Sequence, residues 1–185
     1  HVFACTCSRS EILRVSRDGI YPGTCRDKNL PPDTPNACWR LRTDMQKEII
    51  VHCCDGSKIK SKLPAVMQNF VVRKKDGFPA YQLASLVDDL FFGIDLIVRG
   101  EDLWDSTLAQ LYLASLLGYE DFMNVSFYHH RLLTDDGKKM SKSAGAVSVH
   151  YLRDQGHNAA DIYKIICDRV GLKEHFTSWA NLGRS

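Results

Sequence analysis

The sequence predicts an α/β protein whose core is a sheet linked by crossover helices. Between Asn69 and His150, short runs of β-branched and aromatic residues alternate with segments whose apolar residues recur at helical spacing. Such alternation is typical of strands joined through helices. With 185 residues and 44% hydrophobic residues, the chain is long and apolar enough to bury a core of single-domain size.

The first part of the chain has a different composition. Residues 1–66 hold most of the seven cysteines and a proline-rich run from Leu30 to Pro35. Proline and polar turn residues interrupt regular structure. We therefore predict a loop-rich insert with short strands before the core.

The core begins with a predicted strand and helix. Phe70–Val72 is predicted as a strand, and the helix runs from Tyr81 to Leu90 and ends near Gly93. A buried strand, Ile94–Val98, follows. It delivers Arg99 at its carboxyl end, where open α/β sheets bind their ligands.

A second helix and strand complete the predicted core. We expect Ser106 or Thr107 to cap the helix and Gly118 to end it. The strand Val125–Tyr128 then leads into a polar loop, Thr134–Gly145.

The chain ends with a predicted helix. Asn158 is expected to cap it and Gly171 to end it, with apolar residues at helical spacing between them. We therefore expect three parts: 1–66 as an insert or connective region, 67–150 as the core, and 151–185 as a helical segment.

Charge and composition exclude several classes of protein. Twenty-four Lys and Arg against 22 Asp and Glu give a net charge of +2, too low for a protein that holds duplexes by charge alone. No apolar run approaches the roughly 20 residues of a membrane helix, and the first residues lack a secretory pattern. We expect a cytoplasmic monomer without a membrane partner. Seven cysteines cannot all pair in disulfides, which favours a metal-binding cluster.

The polar loop carries the densest chemistry. Three lysines and two serines lie between Gly137 and Gly145. Lysine ammonium groups and loop amides can close over phosphates. Composition alone leaves open a solvated basic loop.

The same loop contains a known signature. Lys139, Met140, Ser141, Lys142 and Ser143 match the KMSKS signature of class I aminoacyl-tRNA synthetases at all five positions. In that family the signature loop binds ATP. The resemblance assigns these five residues to the ATP site, and Lys139 and Lys142 to catalysis.

The flanking segments resemble glutamyl-tRNA synthetases. The similar segments are Tyr128–Leu133, Gly145–Val149 and the long block Asp76–Gly118, in the order and spacing of that family. The resemblance implies the second half of a Rossmann-type nucleotide-binding fold, with a zinc-binding insert and a short C-terminal helical segment.

The amino-terminal cysteines resemble the zinc module of the shortened members of this family, the glutamyl-queuosine tRNA(Asp) synthetases. That resemblance implies four ligands to a structural Zn²⁺: Cys5, Cys7, Tyr21 and Cys25. Four ligands complete a closed tetrahedral zinc site. Spacing alone leaves three reduced cysteines in a loop as the alternative.

Two residues match the glutamate-binding positions of the family. Arg99 matches the arginine that binds glutamate, and Tyr81 matches a tyrosine that contacts the substrate. A planar guanidinium suits two-point binding of a carboxylate. Ser85 departs from the asparagine that full-length glutamyl enzymes often carry. The alternative for Arg99 is a surface ion pair with Glu101 or Asp102.

The resemblance also implies the reaction. The glutamate carboxylate attacks the α-phosphate of ATP, giving glutamyl-adenylate and pyrophosphate, and a tRNA hydroxyl then takes the glutamyl group. Lys139, Lys142 and Mg²⁺ would offset the charge of the triphosphate. His129 precedes the loop where the family contacts ATP. A histidine with an ordinary structural role is the alternative.

The acceptor and the completeness of the site are less determined. The family needs a HIGH signature, and no His-x-Gly-His occurs in this sequence. Either an upstream segment was removed or the chain is a natural remnant, and we expect no activity from it alone. The short stretch after the loop favours the shortened members of the family, and therefore tRNA(Asp) as the acceptor. The intact signature and Tyr151–Gly156 resemble enzymes that charge tRNA(Glu). A zinc module that binds RNA or protein without catalysis is a further alternative.

Overall fold

A computed structural model describes residues 1–132, 148–178 and 180, together with the backbone of 134–135 and 138–139. These residues form two compact units, 1–130 and 131–185. Each unit is considered by itself below.

The first unit contains seven strands and four α-helices, which follow one another in this order: β1 (Val2–Cys5), α1 (Arg9–Val15), β2 (Cys38–Leu41), β3 (Ile49–Cys53), β4 (Lys58–Ser61), β5 (Val71–Arg73), α2 (Tyr81–Phe91), β6 (Leu96–Gly100), α3 (Trp104–Leu117), α4 (Glu120–Met123) and β7 (Ser126–His130). The strands form two sheets. The first is antiparallel with the order β1–β2–β5, and the second is mixed with the order β4–β3–β7–β6.

Parallel pairing confirms the α/β prediction. β3 and β6 both pair with β7 in parallel, and β4 pairs with β3 antiparallel. Helix α3 packs on β3 and on α2. Every residue of α3 from Ser106 to Ala114 is buried, so this helix lies inside the unit rather than on its surface.

The strand that carries Arg99 begins later than predicted. It runs from Leu96 to Gly100 rather than from Ile94 to Val98, so Arg99 lies within the strand, opposite His129. The reason is the end of α2, where the Ile94 amide donates to the Asp89 carbonyl at 2.9 Å. That bond extends the helix terminus past Gly93, and the strand starts only after it.

The predicted cap of α3 is wrong. The helix starts at Trp104, after a 3₁₀ turn at Glu101–Leu103, and no side chain caps it. Ser106 and Thr107 lie inside the helix, where their hydroxyls accept hydrogen bonds from other buried side chains. The predicted end is confirmed, since Gly118 has a φ of 76°. A non-glycine residue is strained in that left-handed conformation.

Both sheets draw strands from either side of residue 66. β5 joins the sheet of β1 and β2, and β7 and β6 join the sheet of β3 and β4. The division of the chain into three parts at residues 66 and 150 stays a prediction, because compact units alone do not show which function each part has.

In the second unit, β8 (Thr134–Asp135) pairs antiparallel with β9 (Lys138–Lys139), and α5 (Val149–Asp154) and α6 (Ala159–Val170) follow. The predicted limits of α6 are confirmed. Asn158 caps it through a capping box with Asp161, and Gly171 ends it with a φ of 73°.

No helix in the described part of the chain is long and apolar enough to cross a membrane.

Candidate functional site

The structure brings three of the predicted metal ligands together. The sulfurs of Cys5, Cys7 and Cys25 lie within 4.8 Å of one another. Cys7 Sγ and Cys25 Sγ are 3.7 Å apart. Zn–S bonds of about 2.3 Å in a tetrahedral site separate two sulfurs by about 3.8 Å, so this pair already has the required spacing.

Tyr21 supplies an oxygen at the same cluster. Its Oη lies 3.4 Å from Cys5 Sγ and accepts a hydrogen bond from the Cys25 amide at 2.7 Å. A sulfur and an oxygen bound to one tetrahedral zinc would be about 3.5 Å apart. Tyr21 is only 4% exposed, and its ring stacks on Phe3. The four groups therefore fit a single metal ion.

Short-range structure holds these four residues in place. Cys5 ends β1, and Ser8 caps α1 through a capping box with Glu11. Gly23 has a φ of 83°, and its carbonyl accepts a hydrogen bond from the Arg26 amide at 2.8 Å. This turn reverses the chain between Tyr21 and Cys25. Glycine is required there, because other residues rarely adopt this conformation.

The thiols of Cys5 and Cys7 have shifted pKa values. A hydrogen bond from the Cys38 thiol, followed by the contact with Tyr21, lowers the pKa of Cys5 to about 4 against the opposing effect of burial. Burial and the contact with Cys25 raise the pKa of Cys7 to about 11. The surroundings of Cys5 thus favour its thiolate, the form that binds metals.

A second set of polar residues surrounds Arg99. This arginine is 9% exposed, and its Nη1 donates to Gln110 Oε1 at 2.9 Å and to Thr107 Oγ1 at 3.4 Å. Its guanidinium lies 5.6 Å from the centre of the Phe127 ring. Burial lowers the pKa of Arg99, and Tyr81 and Asp89 oppose that shift. Arg99 is thus buried rather than exposed at the surface.

The network extends to His129. Thr107 Oγ1 lies 2.9 Å from His129 Nε2, and Thr107 is fully buried. The His129 ring contacts Trp104 edge-on and stacks on Phe127. Burial, with Arg99 next, lowers the pKa of His129 and favours its neutral form. One hydroxyl therefore links the predicted glutamate-binding arginine to the predicted nucleotide-contacting histidine.

Two of these residues were not predicted from the sequence. Thr107 was predicted as a helix cap, and Gln110 was given no role. Both are polar residues of a helix whose buried residues are mostly apolar, and they are three residues apart, so they lie on one face of it. That spacing was the available signal, because buried polar side chains need partners.

The remaining predicted residues are less fully described. Tyr81 begins α2, is 55% exposed, and lies near enough to Arg99 to influence its pKa. Lys139 belongs to β9, for which the backbone alone is described. The other signature residues, Met140, Ser141, Lys142 and Ser143, lie outside the described residues.

Comparison with known proteins places this geometry in a family. Residues 27–178 match the family described as tRNA synthetases class I (E and Q), catalytic domain. The four candidate metal ligands precede that matched range. The chain is 36% identical over 162 residues to a glutamyl-Q tRNA(Asp) synthetase of Thiobacillus denitrificans, covering 85% of this chain and 51% of the relative.

Other relatives and solved structures agree. A glutamyl-Q tRNA(Asp) synthetase of Pseudomonas syringae is 42% identical over 142 residues, covering 76% of this chain and 45% of the relative. A glutamate tRNA ligase of Elizabethkingia meningosepticum, solved in complex with its amino acid, has a TM-score of 0.55 at 19% identity, over 85% of this chain and 34% of the ligase. That structure supports the fold. The chain spans about half the length of the curated relatives it matches.

Proposed function

This chain belongs to the class I tRNA synthetases for glutamate and glutamine, and from that membership we propose that it is part of an ATP-dependent ligase that activates glutamate and transfers it to tRNA. The observation that carries the proposal is the buried guanidinium of Arg99, fixed by Thr107 and Gln110 beside Tyr81. Because this side chain is already held in place, binding a substrate carboxylate costs it little further conformational freedom.

The proposed substrate contacts follow the network. Arg99 binds a glutamate carboxylate, and Tyr81 contacts the same substrate. His129, in its neutral form, contacts ATP. Lys139 and Lys142, with Mg²⁺, offset the charge that develops on the triphosphate, and Met140, Ser141 and Ser143 complete the loop over it.

We further propose that Cys5, Cys7, Tyr21 and Cys25 bind one structural zinc ion. The support is that the three sulfurs lie within 4.8 Å of one another, with Cys7 Sγ 3.7 Å from Cys25 Sγ and Tyr21 Oη 3.4 Å from Cys5 Sγ. Protein purified without chelator should contain about one zinc per chain, as one four-ligand site requires. Chelation should increase amide exchange across residues 3–26 and leave β6 and β7 protected. A chain without bound zinc contradicts the proposal.

We propose tRNA(Asp), at its queuosine base, as the acceptor, and tRNA(Glu) as the alternative. The support is that the relatives at 36% and 42% identity are glutamyl-Q tRNA(Asp) synthetases. The deciding experiment is glutamylation by the longest protein that carries this chain, with queuosine-containing tRNA(Asp), unmodified tRNA(Asp) and tRNA(Glu) compared. Glutamylation of tRNA(Glu) alone would assign an ordinary glutamyl-tRNA synthetase.

We also propose that the protein acts in the cytoplasm as a monomer.

A further inference from the structure

We propose that Arg40 is the buried counter-cation of the zinc site and sets its affinity for the metal. The inference rests on the proposed zinc ligands. It assigns to Arg40 a positioning role that acts through Tyr21 rather than through direct contact with the ion.

The geometry places Arg40 against one of the four ligands, Tyr21. Arg40 lies in β2, is 8% exposed, and holds its guanidinium 3.9 Å from the centre of the Tyr21 ring. Cys5, whose sulfur lies 3.4 Å from the Tyr21 hydroxyl, pairs with Cys38 of the same strand β2. Arg40 Nη1 donates to the Asn69 carbonyl at 3.0 Å, which anchors the side chain.

The charge of the filled site favours such a cation. Three thiolates around Zn²⁺ carry a net charge of −1 if the Tyr21 phenol stays neutral, and −2 if it ionises. Cys5, Tyr21 and Cys25 are each less than 5% exposed, so water screens this charge poorly. An uncompensated buried charge is strongly destabilising, and Arg40 supplies one positive charge directly against the ligands.

Arginine suits this position better than lysine would. A planar guanidinium can lie flat on an aromatic ring and still direct hydrogen bonds outward in its own plane. Arg40 uses both features, with one face on Tyr21 and one nitrogen on Asn69. Its buried Nε has no hydrogen-bond partner among the described residues, so the metal-free cluster leaves one of its donors unused.

Two nearby cations serve as matched controls. Arg42, two residues along the chain, lies 5.1 Å from the centre of the Phe3 ring and pairs with Asp27 at 3.5 Å. Lys75 donates to the Thr6 carbonyl between two of the thiols at 2.6 Å, but it is exposed. Both carry the same charge as Arg40 and lie near the cluster, without its burial against Tyr21.

The test is zinc affinity, measured by competition with a chromophoric chelator. Arg40→Met and Arg40→Gln should weaken zinc binding about 10- to 100-fold, the usual range for a residue that supports metal ligands. Arg40→Lys should bind zinc more tightly than Arg40→Gln, because it keeps the charge. Arg42→Met and Lys75→Met should stay near wild type.

Three outcomes decide between the inference and its premise. Wild-type zinc affinity in Arg40→Met or Arg40→Gln overturns the inference, and so does equal weakening by Lys75→Met. If Arg40→Met does not regain wild-type circular dichroism at saturating zinc, the comparison of Arg40→Lys with Arg40→Gln decides instead, and equal affinities overturn the proposal. A wild-type chain that binds no zinc refutes the ligand assignment itself, which is a separate result.

Discussion

Gln110 shows how a buried polar side chain can serve a charged partner. It is fully buried, and its Oε1 accepts from Arg99 while its Nε2 has no partner among the described residues. Leaving an amide donor unpaired in the interior is costly. The arrangement is tolerated because the bond to a charged group is about twice as strong as one between neutral groups.

Gln110→Leu should therefore lower the free energy of unfolding by about 1–3 kcal/mol, because it leaves a buried cation with one acceptor fewer. The matched control is Gln82→Leu. Gln82 is 8% exposed and donates to the neutral Ser106 hydroxyl at 3.1 Å. Urea denaturation should show the larger loss for Gln110→Leu. Equal losses would mean that the charge of Arg99 is not stabilised by Gln110.

Arg99→Ala should raise the KM for glutamate about 10- to 150-fold in the longer protein, because bonds to charged groups are worth about 1.5–3 kcal/mol. The KM for ATP should change little. Arg131→Ala, which removes an exposed arginine, is the control for charge. If glutamate and ATP use weaken equally, Arg99 supports the fold of the site rather than the amino acid.

His129 should make stability depend on pH. Its pKa is lower in the folded chain than in the unfolded chain, so the unfolded chain binds more protons between those two values. The free energy of unfolding should therefore fall as the pH drops below about 6.5, the unfolded value. His129→Gln should remove that component. His52→Gln, on the neighbouring strand β3, should retain it, and a retained slope in His129→Gln would contradict the assignment.

At the scale of elements, α3 decides where the candidate site lies. It carries Thr107 and Gln110 on one face, packs on β3, and ends at Gly118. Its N-terminus lies directly after the turn that follows β6, which keeps Arg99 within reach of both side chains. The packing of this buried helix therefore positions the guanidinium.

The end of α3 can be tested at Gly118. Its φ is 76° and no atom lies within 4 Å of an added Cβ, so substitution costs backbone strain and no steric clash. Gly118→Ala should destabilise the chain by about 1–2 kcal/mol. Gly118→Asn should cost less, because asparagine tolerates the left-handed conformation. Thermal unfolding of the two variants measures the difference, and equal losses would point to a cause other than φ.

At the scale of the molecule, the 185-residue chain spans about half the length of the curated relatives it matches. The four proposed zinc ligands and the Arg99 network lie in the first unit. No His-x-Gly-His is present to hold the other side of ATP. Positioning of two reactants is worth roughly 7–11 kcal/mol of a barrier, so half of a site should give almost none of the rate.

Glutamate-dependent ATP–pyrophosphate exchange should therefore be at background for this chain alone. Exchange should return when a HIGH-containing segment is joined upstream, and Lys142→Ala in that longer protein should lose it again. Zinc content of the short chain serves as the control for folding. Measurable exchange by the short chain would show that the catalytic groups have been assigned to the wrong residues.

The sequence by itself determined the family. The signature loop, the cysteine spacing and the matching block around Arg99 are local patterns, so they can be recognised without the fold. The α/β class, the end of α3 at Gly118 and both limits of α6 were also predicted correctly. These depend on short-range periodicity, capping side chains and the backbone freedom of glycine.

Only the tertiary structure decided which residues support those groups. Arg40 lies in β2 whereas Tyr21, whose ring it contacts, lies between α1 and β2, and Gln110 reaches Arg99 only because the fold brings α3 next to that residue of β6. Ser106 and Thr107 are residue types that favour a helix cap. In the folded chain they are instead buried, and their hydroxyls form hydrogen bonds with Gln82, Arg99 and His129. A buried polar group is satisfied by whichever partner the packing brings to it, and residues far apart in sequence supply that partner.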